Sequence, residues 1–565
     1  ETQGRPRGDQ PEETAAGAAA GLSVMFSRYM STITTADDLT SRDKRLIFWA
    51  SFLALTAAGV GFAFRVAKGG AYSAEFSLSN HEIAQIFGAT LWPIAITMIG
   101  FSLVVDRTGY KWPMVGAFIL QAAAGIGTYF ASSYGALYGT AICAGLGHGI
   151  VEAVINPVCA AIYPKQKTKF LTILHASWPA GLVFGTLAIV MTDWLGAPSA
   201  EDLASGEVVV KDVVWRAHAL WILLPAVAYL IVFLRCRMPV DERVQAGIPF
   251  SEMLRQVGFL GASLVAMMLI YELGNQYDKL SDWTLPANWF YICIGLGIGL
   301  GALFGVMVKG IGKPLFFCMC LLMIPVAAAE LGTDQFIGKL MRPVLENKDI
   351  NPAMALVFSA SIMLALRLFA GGILKHFTPP SLLALSGILS ATGLFWLSSA
   401  TGVAIFIAFA LYALGQTYYW PCVLGFVSER YPEGGALTLN TVSAIGLLSV
   451  GIVGGQLIGI AFDESIHAQI SEVEPGLAEA SSLEKSFLWM DHEVIDVGTK
   501  DAYIEGLTDE VDQVRLQTNY ADADKQAGRD VLAYSVRFPL ILVFAFGAIF
   551  LYFRSRGGYK PVELN

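Results

Sequence analysis

Stretches of about 20 apolar residues with almost no charge recur along this chain of 565 residues. An α-helix of that length spans the hydrocarbon core of a bilayer and satisfies its own backbone hydrogen bonds. Only 15% of the residues are charged, whereas soluble domains average about 25%. The sequence therefore predicts an all-α membrane protein with fourteen transmembrane helices. We place them at 46–67, 84–105, 112–131, 135–162, 169–193, 217–236, 256–273, 287–308, 314–331, 352–374, 380–399, 402–428, 436–461 and 536–554.

Lysine and arginine are unevenly distributed over the short loops between these segments. By the positive-inside rule, the loops that are rich in these residues face the cytoplasm. Both chain termini fall on that side, so we expect an integral protein of the bacterial cytoplasmic membrane with both termini cytoplasmic. The residues that set this orientation are Lys44, Arg45, Arg107, Lys111, Lys165, Lys167, Lys169, Arg235, Arg237, Lys309, Lys313, Lys375, Arg430, Arg554, Arg556 and Lys560.

The formal net charge of −9 comes from one polar segment, residues 462–534. This segment contains 17 acidic and 5 basic residues, so it carries a net charge of −12 and the rest of the chain is slightly positive. It lies between the last two predicted spans, and we predict an acidic extracytoplasmic loop there. The first 43 residues are polar and rich in small side chains, and we predict a disordered cytoplasmic tail.

The chain also shows a weak internal repeat at an offset of 268 residues. Tyr163-Pro164 after the fourth span aligns with Tyr431-Pro432 after the twelfth, and Leu-Gly-His148 aligns with Leu-Gly-Gln416. Parallel repeats of this kind place a substrate site at their interface near the middle of the membrane. The predicted domains are the tail 1–43, a six-helix half 44–237, a linker and inserted hairpin 238–313, a second six-helix half 314–555 that includes the loop 462–534, and a cytoplasmic tail 556–565.

The segment between the second and third spans is Ser102-Leu-Val-Val-Asp106-Arg107-Thr-Gly109-Tyr-Lys111. It resembles the loop signature of the major facilitator superfamily, in which a Gly, three residues, Asp, a basic residue, any residue and Gly precede further basic residues. Ser102 stands where the first Gly is usual. The resemblance implies a bundle of two six-helix halves that transports solutes by alternating access, here with an inserted two-helix hairpin.

A narrower resemblance lies in the fourth span, which reads Gly145-Leu-Gly-His-Gly-Ile-Val-Glu152-Ala-Val-Ile-Asn156-Pro157. This segment is similar to the fourth helix of the fucose–proton symporter family. The sequence Ala-Ala-Ala-Glu330-Leu-Gly in the ninth span is similar to the first helix of that family's second half. That family carries an acidic residue in its first helix, where this chain has Arg65. The resemblance implies a sugar-type substrate and proton coupling.

Glu152 is the candidate that most constrains function. It falls in the middle of a span, where a charged side chain costs roughly 2.5 kcal/mol or more unless it is paired or hydrated. His148 and Asn156 lie four residues to either side, so all three share one helix face. Because a His–Glu pair can hold or pass a proton, we predict Glu152, His148 and Glu330 as proton-coupling residues. The alternatives are a structural clamp for Glu152 and a carboxylate in the outer water layer for Glu330.

Several polar and aromatic side chains inside the spans are candidate substrate ligands. Arg65, near the outer end of the first span, would suit an anionic group because its guanidinium is bidentate, or it extends to the membrane interface. Aromatic faces and amides together suit sugar rings, although aromatic residues in membrane helices also pack or face lipid. The predicted substrate-binding residues are Asn156, Arg65, His175, Trp178, Gln416, Tyr419, Trp420 and Asn440.

Charged residues at the predicted cytoplasmic helix ends are candidate gating residues. A carboxylate such as Asp106 can pair with basic groups in one conformation and release them in another, and such differential contacts bias alternating access. The alternative is a solvated basic loop. The predicted gating residues are Asp106, Arg107, Lys111, Arg367, Glu429 and Arg430.

The sequence contains neither a Gly-rich phosphate loop ending in Lys and Ser or Thr nor a nucleophile–base set, which argues against an ATP-driven pump and against an enzyme. The leading hypothesis is a secondary active transporter that moves a small polar solute, a sugar or sugar-like compound, by proton-coupled symport. A proton-driven exporter of amphiphilic compounds and a non-transporting sensor or adaptor are the alternatives. We expect the solute, protons and the lipid bilayer as partners, no nucleic acid, no cofactor or metal, and a monomer.

Overall fold

The computed structural model describes residues 35–76, 78, 80–196, 214–281, 284–333, 354–488 and 490–564, and most of the predicted N-terminal tail lies outside them. Among the described residues, twelve helices are long and apolar enough to cross a membrane, and we number all spans 1 to 14 in the predicted order. The twelve are Ser41–Lys68, Gln85–Thr108, Lys111–Phe130, Tyr134–Ile162, Pro164–Trp194, Trp215–Arg235, Phe250–Asp278, Trp289–Val308, Pro314–Gly332, Pro379–Ser399, Pro432–Val473 and Glu510–Ser555.

The two remaining predicted spans are shorter or interrupted. Span 10 is the helix Met354–Leu368, and it is followed by the short helix Ala370–Ile373. Span 12 consists of two consecutive helices, Ala404–Gln416 and Tyr419–Arg430. The described helices are therefore compatible with the predicted fourteen spans.

Some of the long spans also contain internal breaks. Span 5 is interrupted between Lys167–Leu174 and Ser177–Gly196, and spans 9 and 13 each contain one π-helical turn.

A span can join consecutive helices, so the bounds of the individual helices differ from those of the spans. The remaining α-helices within and beside the spans are Ser41–Phe76, Asn80–Gly88, Trp92–Thr108, Lys111–Phe130, Tyr134–Ile162, Val214–Ala217, Leu223–Arg235, Glu242–Gln245, Phe250–Leu280, Trp289–Val308, Pro314–Ala327, Pro379–Ser399, Gly435–Ser449, Gly455–Val473 and Arg537–Ser555. The π-turns are Ala328–Gly332 and Val450–Gly454, and the 3-10 turns are Pro164–Gln166, His218–Ile222 and Pro432–Gly434.

Spans 1–6 and spans 9–14 pack against each other through several pairs of helices. Span 2 packs against span 13, span 5 packs against span 10, and the first part of span 5 packs against the second part of span 12. One continuous cluster of buried apolar side chains extends through both groups. The seam between the two groups is therefore a packed interface.

Spans 7 and 8 form a hairpin in which glycines allow close packing. Gly297, Gly301 and Gly305 face span 7, and a Cβ on Gly301 would overlap Ser263. Span 7 also contacts span 13, whereas much of span 8 is exposed on the outside of the bundle. This position fits a hairpin that is added to the periphery of two six-helix groups.

The acidic segment 462–534 was predicted only as a polar loop, but in the structure it is largely helical. Span 13 continues as a helix to Val473, and the helix Glu510–Ser535 leads into span 14. Between them lie the helices Pro475–Ser481 and Val497–Glu505 and two antiparallel strands, β1 (Ser482–Phe487) and β2 (Met490–Ile495). Apolar side chains hold these elements together, and among the buried ones are Ile466, Ile470, Leu477, Ile495, Ile504, Leu516 and Val531.

Candidate functional site

Glu152 is buried in span 4, where only 5% of the residue is exposed. Its Oε2 accepts a hydrogen bond of 2.7 Å from the Asn156 side-chain amide, and its Oε1 lies 3.7 Å from His148 Nε2. The spacing of four residues brings these groups onto one helix face, as predicted. The structure therefore joins three of the predicted site residues in one cluster.

His175 extends this cluster to span 5. Its Nε2 lies 3.0 Å from the Asn156 Oδ1, and its own residue is buried. Trp178, one turn further along span 5, stacks on the His148 ring at 5.3 Å between ring centroids. The His148 side chain remains 13% exposed although it lies within a span.

Glu330 forms a second cluster, in the second group of spans. Its Oε1 lies 2.7 Å from the Arg367 Nη2, and its Oε2 accepts a hydrogen bond of 3.2 Å from the Trp420 backbone N–H. Only 3% of Glu330 is exposed, which excludes the outer water layer as its environment in this conformation. Because Tyr419 begins the second helix of span 12, the carboxylate also lies at a helix N-terminus, where negative charge is favourable.

Arg367 was predicted at a cytoplasmic helix end, and the structure corrects that position. The residue is 1% exposed, and its Nη1 and Nε donate to the carbonyls of His175 (3.0 Å) and Thr417 (2.7 Å). Both carbonyls lie at the breaks inside spans 5 and 12. Arg367 therefore connects the Glu330 cluster to the Glu152 cluster, and a single polar network runs between the two groups of spans.

The other predicted substrate ligands have different partners. Gln416 and Tyr419 are buried in the second group of spans, where the Tyr419 hydroxyl donates to the Ser386 carbonyl (3.4 Å). Asn440 of span 13 donates to Ser102 Oγ (2.7 Å) of span 2. The Arg65 guanidinium lies next to Gly61, one turn earlier in span 1. The structure thus brings Asn156, His175 and Trp178 together with Glu152, and Asn440 reaches the carbonyl of the adjacent Ala153 (3.2 Å). Gln416 and Tyr419 belong to the second group of spans, and Arg65 lies in span 1.

Asp106 contacts Arg243, a residue of the linker between spans 6 and 7 that was not among the predicted site residues. The neighbouring linker residue Asp241 accepts hydrogen bonds from the Tyr110 hydroxyl (3.0 Å) and from the Ala436 backbone N–H (3.0 Å). Burial raises the pKa of the Asp241 carboxyl, although the backbone N–H and the guanidinium of Arg243 act in the opposite direction. The linker therefore bonds to both groups of spans at the predicted cytoplasmic end.

Glu429 also joins the two groups at this end. It accepts hydrogen bonds from the Thr168 backbone N–H (3.2 Å) and from the Tyr559 hydroxyl (2.8 Å), and burial together with this carboxylate raises the pKa of Tyr559 well above its ordinary value. Arg430 donates to the Lys560 carbonyl (2.8 Å) of the C-terminal segment.

The remaining charged residues at this end have simpler environments. Lys111 donates to the Leu234 carbonyl (2.8 Å) within the first group of spans, and Arg107 is exposed. Lys167, predicted only as an orientation signal, is buried and forms an ion pair of 2.6 Å with Glu242 of the linker. The run of charges Asp241-Glu242-Arg243, which follows Pro239-Val240, was the sequence signal that this linker takes part in specific contacts.

A sequence model of the Major Facilitator Superfamily matches residues 47–334, which is half of the chain. The chain belongs to the major facilitator superfamily. The predicted superfamily and a mainly helical membrane fold are therefore confirmed. A curated relative, the gentisate transporter of Corynebacterium glutamicum, is 22% identical over 255 residues, which are 42% of this chain and 54% of the relative. The chain thus matches about half the length of this superfamily member.

Solved structures of other superfamily members share the fold at low sequence identity. A bacterial homologue of the human lysosomal transporter Spinster has a TM-score of 0.54 at 15% identity, over 93% of this chain and all of its own. A proton:xylose symporter has a TM-score of 0.53 at 14% identity, over 78% and 93% of the two chains. The E. coli fucose:proton symporter has a TM-score of 0.50 at 11% identity, over 89% and 97%. These likenesses support the fold, including its resemblance to the fucose–proton symporters.

Proposed function

We propose that this superfamily member is a secondary active transporter that moves a small polar solute, a sugar or sugar-like compound, together with protons. The observation that carries the proposal is the environment of Glu152. Its polar partners are an imidazole at 3.7 Å and an amide at 2.7 Å, and neither carries a permanent charge. A carboxylate that is buried without a permanent cation beside it suits a proton carrier, because taking up a proton there leaves no cation without its partner.

The surroundings of this proton site suit a polar ring-shaped cargo. His148 and Trp178 present a stacked pair of rings beside Glu152, and neither residue is fully buried. Aromatic faces pack on the C–H groups of a sugar, while carboxylate and amide groups bond to its hydroxyls. These side chains favour the import of a polar solute over the export of amphiphilic compounds.

An organic anion is the second candidate cargo. The curated relative is named as a gentisate transporter, and its similarity to this chain is the observation that favours an anion. The fold neighbours named for xylose and fucose are at most 15% identical, so their cargo carries no argument here.

Alternating access requires the two groups of spans to separate at each end in turn. The contacts of Asp241 and Glu429 join both groups at the predicted cytoplasmic end, so this conformation is closed there. The gating role predicted for Glu429 is consistent with such contacts, which must break for the cytoplasmic end to open, whereas Asp106 pairs with Arg243 of the linker.

The cargo class can be found with the purified protein. Sugars, nucleosides and organic anions are screened for a rise in melting temperature, because a ligand at concentration [L] stabilises the folded state by RT ln(1 + [L]/Kd). We expect a sugar-type hit that is also accumulated by proteoliposomes under an inward proton gradient. An organic-anion hit would instead select the second candidate. Ligand binding without uptake or exchange would favour the sensor hypothesis.

The role of Glu152 is tested in the same proteoliposomes. We expect Glu152→Gln to abolish gradient-driven accumulation and to retain counterflow exchange, because the amide keeps the hydrogen-bond geometry and cannot carry the proton. Glu272→Gln is a matched control: Glu272 of span 7 also accepts a hydrogen bond of 2.8 Å from an amide four residues later, Gln276, and lies in the peripheral hairpin. Equal loss of accumulation and counterflow in Glu152→Gln would show a structural role instead.

A further inference from the structure

Arg367 donates to two backbone carbonyls that proline leaves without their helical partner. In a continuous α-helix, each carbonyl accepts the N–H four residues later. For His175 that residue is Pro179, and for Thr417 it is Pro421, and proline has no backbone N–H. The guanidinium therefore bonds, at 3.0 Å and 2.7 Å, to the two acceptors that these prolines set free.

The two breaks resemble each other and lie in opposite groups of spans. In span 5 the helix ends at Leu174 and resumes at Ser177, just before Trp178-Pro179. In span 12 it ends at Gln416 and resumes at Tyr419, just before Trp420-Pro421. Arg367 is thus the common donor to two Trp-Pro breaks, one on each side of the seam.

The same arrangement occurs a third time in span 4. Pro157 lies inside that helix, and the carbonyl it leaves free is that of Ala153. This carbonyl accepts a hydrogen bond of 3.2 Å from the side-chain amide of Asn440, which belongs to span 13. Here too, a side chain from the second group of spans bonds to a carbonyl that proline has freed in the first.

The helices beyond the two Trp-Pro breaks form the seam at the predicted cytoplasmic end. Lys167–Leu174 of span 5 packs directly against Tyr419–Arg430 of span 12. A Cβ on Gly425 would overlap Thr168, so the two helices are in close contact, and Cys422 lies beside Thr172. Arg367 lies beside both breaks, at the end of this seam that is farther from the predicted cytoplasmic surface.

We propose that Arg367 is a positioning residue that fastens the two groups of spans to each other through these proline-freed carbonyls, with Glu330 as its counterion. For the cytoplasmic end to open, Arg367 must release the His175 carbonyl while it remains with Glu330 and Thr417 on its own side. Asn440 makes the equivalent bond to span 4. This inference rests on the alternating access of the proposed function. It names the Arg367–His175 hydrogen bond as a contact that stabilises the conformation closed at the cytoplasmic end.

Two substitutions weaken the contact by different routes. Arg367→Lys keeps a positive charge near Glu330 but replaces the planar guanidinium by a single ammonium that cannot reach both carbonyls in the same geometry. Pro179→Ala leaves Arg367 intact and returns an N–H that competes for the His175 carbonyl. Pro325→Ala is the matched control, since Pro325 also lies inside a span but the carbonyl it frees belongs to Leu321, whose side chain is 42% exposed at the bundle surface.

Cys422 is a native reporter of the seam, and Cys293 in the inserted hairpin is a buried reference thiol. The full-length protein in lipid nanodiscs is treated with N-ethylmaleimide, and the labelling rate of each cysteine is followed by peptide mass spectrometry. We expect Cys422 to react about tenfold faster in Arg367→Lys and in Pro179→Ala, since one hydrogen bond to a charged group shifts an equilibrium by about that factor. Cys293 should be unchanged in both variants, and Pro325→Ala should match the wild type at both cysteines.

Two results would overturn this role of Arg367. One is wild-type labelling of Cys422 in both Arg367→Lys and Pro179→Ala. The other is an equal increase at Cys422 and Cys293, which would indicate general loosening of the bundle. The measurement uses neither a substrate nor a proton gradient. The labelling result can therefore contradict the role of Arg367 without affecting the proposal of proton-coupled transport. Conversely, the proteoliposome result can contradict proton coupling without affecting the role of Arg367.

Discussion

Glu152 and Glu330 are two buried carboxylates in the membrane-spanning core, and they differ in their partners. Glu152 has the imidazole of His148 and the amide of Asn156, whereas Glu330 has the permanent cation of Arg367 at 2.7 Å. A proton on Glu330 would leave the buried guanidinium without a counterion, which is unfavourable. A proton on the Glu152 carboxylate would remove a buried charge and leave no permanent cation without its partner. The first pair is therefore suited to carry a proton, and the second to hold the two groups of spans in place.

The largest effect on stability is expected when one partner of the Glu330–Arg367 pair is removed. Arg367→Met should lower the free energy of unfolding by about 3–5 kcal/mol, because it leaves an uncompensated buried carboxylate. The double variant with Glu330→Gln should recover a substantial part of that loss. Unfolding of the two single variants and the double variant in one detergent gives the coupling between the sites. Additive losses would show that the two side chains do not depend on each other.

Asp241 extends the comparison to a buried carboxylate outside the membrane-spanning segments. Burial raises its pKa in the folded protein, so its contribution to stability is fully present below the ordinary carboxyl pKa and is lost as the pH rises through the raised value. Asp241→Asn mimics the protonated form. The melting temperature of this variant relative to wild type should therefore increase by a few degrees between about pH 4 and pH 7. If the difference in melting temperature between Asp241→Asn and wild type stayed constant over this pH range, the raised pKa of Asp241 would be contradicted.

A smaller effect on stability is expected for Glu152→Gln. The amide retains hydrogen-bonding groups toward Asn156 and His148, and no permanent cation loses its partner, so the change should stay within about 1 kcal/mol. Thermal unfolding beside Arg367→Met measures the contrast directly. A loss as large as that of Arg367→Met would mean that Glu152 has a permanent countercharge, and the distinction between the two carboxylates would fail.

The smallest effect is expected for an exposed ion pair of the same chemical type. Lys68 and Asp193 lie 2.7 Å apart at the end of the bundle opposite the linker, and Asp193 is substantially exposed. Lys68→Ala should change stability by less than about 1 kcal/mol, because solvent screens such pairs. This variant sets the baseline for Arg367→Met in the same unfolding experiment. If Lys68→Ala lost as much unfolding free energy as Arg367→Met, burial could not explain why the Glu330–Arg367 pair matters more for stability.

Local spacing made one of the two clusters predictable from sequence. Residues four positions apart must share a face of a helix, so the spacing alone is enough to group His148, Glu152 and Asn156. The spans themselves followed from hydropathy, because the length of an apolar helix is set by the thickness of the bilayer. Both are short-range properties of the chain.

The contacts that sequence could not supply join residues far apart in the chain. Arg367 and Glu330 belong to different spans, and Asp106 meets Arg243 across 137 positions. Which spans meet is decided by packing over the whole bundle. The folded segment 462–534 was missed for a different reason: its acidic surface dominated the composition, whereas Ile466 and Ile470, one helical turn apart, already indicated a buried helix face.

Proton movement driven by the ligand itself is the most direct test of the difference between Glu152 and Glu330. Proteoliposomes with an internal pH dye receive a gradient of the ligand found in the stability screen, and ligand exchange is followed in parallel. We predict that wild-type protein moves protons together with the ligand, and that Glu152→Gln exchanges the ligand without any change of internal pH. Proton movement that persists in Glu152→Gln at the wild-type ratio to the ligand would contradict the assignment of Glu152 as the proton-carrying site.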